Sequence, residues 1–342
     1  MGGERDSSTE TAGLTSTERE WLDAARATET LAALRNCVDA ETDHEAYLEA
    51  KRKWAVLREK ELAENSIVER EREGNANSTA ESEREETVQI PGSCVVVDGR
   101  PVTVHGITHA DTDEECEFLR SGVRSLLDDG ASVYCEQGIR PMYFQDMDAV
   151  CEVDDYRWAM HHCRERDIDS HISGQIEREF AEDDSISADI TTVASQFRDE
   201  TFSLIKSGSS VYGDRFASAL GDVASNFLTS HEELATGEDF ASFRKSRRAA
   251  RNPAELETLQ RYYETVFLPQ PLEREWLRRH DPEIELFTHA RNERIAAAVL
   301  YHAPKETPVH IITGAAHQPG VVYYLKAYRD GGWTFEPFED IP

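Results

Sequence analysis

Hydrophobic residues along this chain follow two patterns, which separate predicted strands from predicted helices. Short β-branched runs at 102–105, 131–135 and 309–313 are typical of buried strands, and a last short strand is predicted at 332–335. Between the second and third runs, apolar residues recur near helical spacing and are interrupted by Gly and Pro. This interval predicts helices at 187–206, 211–231, 239–250, 253–267 and 284–301. We therefore predict an α+β or α/β domain with a modest mixed sheet that many helices flank and cap.

The N-terminal part of the chain predicts helices only. Ser16, with Glu18 in the first turn, favours a helix start, and the apolar stripe that follows extends to Leu34. A second helix is predicted over 43–70. Together they predict a helical hairpin that is too small to be comfortably stable alone, so we expect it to dock on the main domain or on a partner.

These patterns divide the chain into four parts. Residues 1–13 are small and polar, as in a disordered tail, and 14–72 form the predicted hairpin. Residues 73–87 form a polar linker. The remaining residues, 88–342, are numerous enough for one sizeable core.

The net charge of the chain limits the partners and the solvent conditions that we expect for it. It has 67 acidic and 37 basic residues, a formal charge of −30, and this excess opposes nonspecific binding to nucleic acid or anionic lipid. Only seven of the basic residues are lysine, a composition that resembles proteins of salt-accumulating halophiles. The chain lacks both an apolar stretch of roughly eighteen residues and a hydrophobic signal core, so we expect a soluble, cytoplasmic protein without a membrane span. Its six scattered cysteines predict free thiols.

We expect this protein to become more stable as salt rises from low to molar concentration. Salt screens the repulsion among the surplus carboxylates that accompanies a charge of −30. Thermal melts across a KCl series test this expectation. A parallel series in sucrose, which stabilises proteins without screening charge, is the control. A melting temperature that does not change with KCl would contradict the halophilic interpretation.

Two similar tetrapeptides follow two of the predicted strands. The first is Gly106-Ile107-Thr108-His109 and the second is Gly314-Ala315-Ala316-His317, and each precedes a predicted helix. In open α/β sheets, ligands bind beyond the carboxyl ends of the strands. We therefore expect both histidines to reach one site, together with Glu136, which ends the predicted strand at 131–135.

Two kinds of chemistry suit this residue set, and the sequence leaves both open. Two neutral imidazoles and one carboxylate form a three-ligand set that leaves positions on a divalent metal open for water and substrate. Without a metal, Glu136 or a histidine acts as general base on water, with Arg291 as the oxyanion partner.

Four segments resemble the TraB/PrgY family and its relatives, the Tiki-type proteins and the erythromycin-esterase-like and ChaN-like group. The segments lie at 106–109, 133–140, 291–296 and 314–320, in the order and spacing of that family. They resemble its Gly-Thr-x-His turn, its strand-borne glutamate followed by arginine, its Arg-Asn/Asp-x-x-Met-Ala helix segment and its closing Gly-Ala-Gly-His-x-x-Gly. The chain departs from the family at Ile107, where threonine is usual, and at Ala316, where glycine is usual.

The resemblance implies a metal-dependent hydrolase, peptidase-like or esterase-like, that uses Mn, Co or Zn. It implies that His109, Glu136 and His317 are metal ligands and catalytic residues and that Arg291 is a catalytic electrostatic stabiliser. The residues implied to contact the bound cofactor are Gly106, Thr108, Gly314 and Asn292. The alternative is a noncatalytic peptide-binding or regulatory protein on the same fold, whose N-terminal hairpin binds a protein partner or a second copy.

Overall fold

The structure, a computed structural model, describes residues 13–76, 89–168, 241–280 and 282–335. The predicted N-terminal tail up to residue 12, the linker from residue 77 and the predicted helices at 187–206 and 211–231 lie outside these ranges. The chain divides into two compact units, Met1–Glu85 and Glu86–Pro342. Within the described ranges, no helix combines the length and apolar character needed to cross a membrane.

The described part of the N-terminal unit, 13–76, is helical, as predicted, but contains three helices where two were predicted. They are α1 (Ser16–Arg26), α2 (Leu31–Val38) and α3 (Asp43–Ala76). The predicted first helix is interrupted because Thr30 has extended backbone angles and its side chain accepts a hydrogen bond from Ala33 N, which starts α2 anew. The apolar stripe is nevertheless buried, and it includes Trp21, Leu22, Ala25, Leu31, Leu34, Tyr47 and Trp54.

The second unit is built on a five-stranded mixed sheet, which confirms the predicted fold class as α+β. Its strands are β1 (Ser93–Val97), β2 (Arg100–Ile107), β3 (Ser132–Glu136), β4 (Val150–Val153) and β5 (Val309–Gly314). The spatial order is β1-β2-β5-β3-β4, in which β1 is antiparallel to β2 and the other pairs are parallel. Strand β1 was not predicted. It joins β2 through Asp98 and Gly99, whose φ angles of 52° and 79° suit a tight hairpin turn.

Helices cover both faces of the sheet. The α-helices among the described residues of the second unit are α4 (Asp113–Asp128), α5 (Ile139–Tyr143), α6 (Tyr156–Glu165), α7 (Ala241–Arg251), α8 (Leu256–Val266), α9 (Gln270–His280), α10 (Pro282–Glu285), α11 (Arg291–His302) and α12 (Gln318–Arg329). A π-helical turn, Leu286–Ala290, leads into α11. Valines of β2 pack with α11 and α12 on one face, whereas Ile107 and Ile312 pack with α4 and α5 on the other.

The segment predicted as a final strand has a different structure. Residues 333–335 have no regular secondary structure, and the Trp333 ring packs 5.0 Å from that of Tyr324. Its indole nitrogen donates to Glu293 Oε1 over 3.0 Å. Aromatic residues in this segment therefore reflect packing against helices α11 and α12 and not pairing in the sheet.

Because of the register between β2 and β5, the two Gly-x-x-His turns begin next to each other at the carboxyl ends of these strands. Gly106 pairs with Thr313 and Ile107 with Gly314 across the parallel strands β2 and β5. Strand β3 lies parallel on the other side of β5, so Glu136 ends at the same edge. The chain thus brings its three predicted site segments to the carboxyl ends of three neighbouring parallel strands.

Candidate functional site

Both histidines of the twin turns lie against the carboxylate of Glu136. His109 Nε2 is 3.7 Å from Glu136 Oε2, and His317 Nε2 is 3.8 Å from Glu136 Oε1. The histidine side chains are 16% and 13% exposed, while that of Glu136 is 4% exposed. The carboxylate is therefore buried behind two imidazoles that are themselves partly exposed.

Glu136 is held as a charged group by three hydrogen-bond donors. Thr313 Oγ1 and Gly314 N donate to Oε2 over 2.7 and 2.8 Å, and Arg291 Nη2 donates to Oε1 over 2.8 Å. Burial acts to raise the pKa of Glu136, but the two imidazoles and the Arg291 guanidinium outweigh it and hold this pKa well below its usual range. Glu136 is therefore a carboxylate at neutral pH.

Arg291 links Glu136 to a second buried carboxylate, Asp155. Arg291 Nε donates to Asp155 Oδ2 over 2.7 Å, and Nη1 donates to Phe287 O over 3.1 Å. Burial foremost, together with the charge of Glu136, raises the pKa of Asp155 to about 6, although Arg291 opposes the shift. Because the Arg291 side chain is only 2% exposed, we assign it to holding Glu136 charged and not to contacting a substrate oxygen.

Asp155 was missed by the sequence prediction, although the same reasoning would have found it. It lies two residues beyond the end of β4, at the edge of the sheet where Glu136 also lies. The β4 pattern was too short to be recognised as a strand, with only its two end residues buried. Asp155 is itself fixed by Gln137 N, which donates to its Oδ1 over 2.9 Å.

A chain of amide and imidazole groups orients His317. His317 Nδ1 lies 2.7 Å from Asn292 Oδ1, and Asn292 Nδ2 donates to Gln270 Oε1 over 3.2 Å. His289 Nδ1 lies 3.0 Å from the same Gln270 oxygen. Because Asn292 Oδ1 is an acceptor, the ring proton of neutral His317 is assigned to Nδ1, which leaves the lone pair on Nε2, the atom near Glu136. The sequence pattern did not indicate a role for Gln270 or His289.

We expect a pH dependence of stability that belongs to His317. Burial, as the largest cause, lowers its pKa from 6.5 to about 4. A lowered folded-state pKa contributes stability that is complete above pH 6.5 and is lost as pH falls through 4. The variant His317→Asn should therefore show a shallower loss of unfolding free energy in urea titrations across this range. Equal slopes in the variant and the wild type would contradict the assignment.

Gly314 separates the two imidazoles. A Cβ atom at this position would lie 2.7 Å from His109 Nε2 and 3.4 Å from His317 Cδ2. We therefore expect Gly314→Ala to displace the His109 ring, which histidine-ring NMR signals would report. Gly332→Ala is the matched control, because its Cβ would meet its nearest neighbour at an ordinary 3.7 Å. If Gly314→Ala folds and its His109 signals do not shift, the ring positions do not depend on the absence of a side chain at residue 314.

The four residues predicted to contact a cofactor separate into two pairs. Gly314 and Asn292 both lie against the imidazoles. Gly106 instead lets the turns approach each other, since a Cβ there would lie 2.8 Å from Ala315 Cα. Thr108 donates its hydroxyl to Glu115 Oε1 over 2.6 Å. Gly106 and Thr108 therefore support the turns that carry the two histidines.

In this structure the three predicted ligands stand slightly wider apart than a tetrahedral metal site requires. Within 13–76, 89–168, 241–280 and 282–335, no group of three or more His, Cys, Asp or Glu side chains is placed to hold an ion. Ligands about 2.1 Å from a tetrahedral ion lie about 3.4 Å apart, whereas each histidine nitrogen is farther than this from Glu136. The Glu136 oxygens also already accept from Arg291, Thr313 and Gly314.

Comparisons with protein-family models, with curated proteins and with solved structures give no match to this chain.

Proposed function

We propose that this protein is a hydrolase of acyl bonds, peptidase-like or esterase-like, of the TraB/Tiki type. One observation carries the proposal. Two imidazoles from the ends of adjacent parallel strands lie against a single carboxylate that Arg291 holds in its charged form. A buried, ionised carboxylate next to partly exposed histidines suits proton transfer to and from water.

In this proposal His109 is the general base. It accepts a proton from water as the water oxygen attacks the carbonyl carbon, and it returns the proton to the leaving group as the acyl bond breaks. Glu136 stabilises the imidazolium that forms between these steps. His317, whose pKa of about 4 makes it a weak base, is neutral and accepts a hydrogen bond from the attacking water at Nε2.

A divalent ion, Mn, Co or Zn, is the second form of the proposal. His109, Glu136 and His317 would be its ligands, and it would supply Lewis-acid activation of water. This form requires Glu136 to exchange at least one of its present hydrogen bonds for the ion. Metal content and the effect of EDTA on hydrolysis distinguish this form from the form without metal.

The test uses full-length protein purified in high salt. Hydrolysis of a p-nitrophenyl ester and of internally quenched peptides is measured with EDTA and with added Mn, Co or Zn. Metal content is measured by elemental mass spectrometry on the wild type and on the His109→Ala/His317→Ala double variant. Activity that survives EDTA supports the residues acting alone. Near-stoichiometric metal that the double variant loses supports the ion.

Absence of hydrolysis under every condition would overturn the proposal. The noncatalytic alternative would then take its place. In that alternative the site captures a small peptide and the N-terminal helical unit binds a partner. Titration of the same peptides against the wild type and the double variant would measure such capture directly.

A further inference from the structure

Three described helices begin with the pattern Thr-x-x-Glu, which usually closes on itself as a capping box. Before α1, Thr15 N donates to Glu18 Oε2 over 2.8 Å, and Glu18 N donates back to Thr15 Oγ1 over 3.3 Å. Before α3, Thr42 and Glu45 exchange the same two bonds at 3.2 Å each. The glutamate in both cases satisfies the backbone at its own helix start.

The third pattern, Thr112 to Glu115 at the start of α4, is used differently. Glu115 N still donates to Thr112 Oγ1 over 3.3 Å, so the threonine caps the helix. The Glu115 carboxylate, however, accepts hydrogen bonds from the preceding loop and from Tyr143 on α5. Its side chain is fully buried, so this placement removes a charge from water.

Four donors surround this carboxylate, and the backbone donors flank His109. Thr108 N and Thr108 Oγ1 donate to Oε1 over 2.8 and 2.6 Å. Ala110 N and the Tyr143 hydroxyl donate to Oε2 over 3.1 and 2.6 Å. The Tyr143 hydroxyl also accepts a hydrogen bond from Asp111 N over 3.0 Å. These bonds, which we call the clamp, hold Thr108, Ala110 and Asp111, the residues on either side of His109.

The loop needs such a clamp because two of its residues have left-handed backbone angles. His109 has φ 58° and Asp111 has φ 51°. Residues other than glycine adopt this region at a cost and keep it only when their surroundings fix it. The left-handed turn at His109 determines the direction in which its imidazole leaves the sheet edge.

We propose that Glu115 is a positioning residue of the site, whose carboxylate fixes the loop 108–111 so that His109 directs Nε2 toward Glu136. The proposal rests on the proposed function for its catalytic consequence. Its structural content is independent of that function, since the clamp and the ring orientation are properties of the folded chain.

The test compares Glu115→Gln with Glu45→Gln in full-length protein labelled with ¹⁵N-histidine. Both variants remove a carboxylate from a Thr-x-x-Glu pattern, but only Glu115 touches the His109 loop. Long-range ¹H–¹⁵N spectra report the ring signals of each histidine, and the His109 signals are assigned from their absence in His109→Asn. We expect Glu115→Gln to shift the His109 ring signals and to leave those of His317 in place. Glu45→Gln should leave both unchanged.

Folded Glu115→Gln with unmoved His109 signals would overturn the proposal. If Glu115→Gln does not fold, Tyr143→Phe replaces it, because this change keeps the ring packing and removes one of the four donors. The same signals should then shift in the same direction by a smaller amount, and unmoved signals would again refute the positioning role.

Kinetics separate this inference from the proposed function. If the wild type hydrolyses a substrate, Glu115→Gln should lower kcat by about 10- to 100-fold with little change in KM, as expected for a misplaced catalytic group. An unchanged kcat would overturn the positioning role. If the wild type hydrolyses nothing, the proposed function fails, while the His109 ring signals still decide the role of Glu115.

Discussion

Replacing His109 with Asn is expected to lower kcat/KM for an acyl substrate by about 10²- to 10⁴-fold, the usual contribution of a general base. Asparagine keeps a polar side chain but has no titratable nitrogen to accept the proton of water. Glu136 and Arg291 should remain paired, since their bond of 2.8 Å does not pass through His109. We therefore expect the loss to appear in kcat with the fold retained, as judged by thermal melting.

His302→Asn is the matched control for this variant. His302 ends α11 and is exposed, so its replacement should leave kcat/KM unchanged. His317→Asn should lower kcat/KM as well, because it removes the Nε2 acceptor that Asn292 orients. Hydrolysis that persists at the wild-type rate in His109→Asn would rule out the assigned base, and persistence in both site variants would exclude this site as the catalytic centre.

Replacing Arg291 with Met is expected to destabilise the protein by about 3 to 5 kcal/mol, the cost of leaving a buried ion pair with one partner removed. Methionine fills much of the same volume, so the loss reports charge more than packing. Asp155 and Glu136 are both buried and would face each other without the guanidinium that now contacts both. The free energy of unfolding from urea titration measures the effect.

Two further variants make the Arg291 result interpretable. Adding Asp155→Asn and Glu136→Gln to Arg291→Met removes both uncompensated charges, so much of the lost stability should return. Arg329→Met breaks an exposed pair with Asp330, where solvent screens the charges, and should have little effect. If Arg291→Met were as stable as Arg329→Met, Arg291 would not be needed to stabilise the charged forms of Asp155 and Glu136.

The sequence predicted the three strands whose ends carry site residues, β2, β3 and β5, but not the two outer strands, β1 and β4. The runs at 102–105, 131–135 and 309–313 are apolar and β-branched, and they form strands β2, β3 and β5. Strand β4 was missed because it is short and only its end residues are buried. Strand β1 was missed although its Asp98-Gly99 turn is a strong hairpin signal. The helix predicted at 284–301 is interrupted by a π-helical turn before Arg291, which no periodicity of apolar residues indicates.

Spacing along the chain could identify only some of the site residues. Strand ends identified His109, His317 and Glu136, and the structure brings these residues together with Arg291. Asp155 was not identified because the short strand β4 before it was not recognised. Gln270 and His289 were not identified because each acts through a contact with a residue far away in the sequence. Thr108 was implied to contact a cofactor and Glu115 was not singled out, whereas their hydrogen bonds hold the loop that carries His109.

Local patterns along the chain were enough to predict the mixed sheet, the helical N-terminal part and the strand ends at which polar groups gather. These depend on local periodicity and on the rule that parallel strands end at a common edge. The contacts of Arg291 with two carboxylates and the three hydrogen bonds that Glu136 accepts depend instead on the folded arrangement of distant segments. The protonation of a buried group depends on distances of a few ångströms between residues far apart in the chain, because Coulomb and desolvation energies are set by spatial neighbours and not by sequence neighbours.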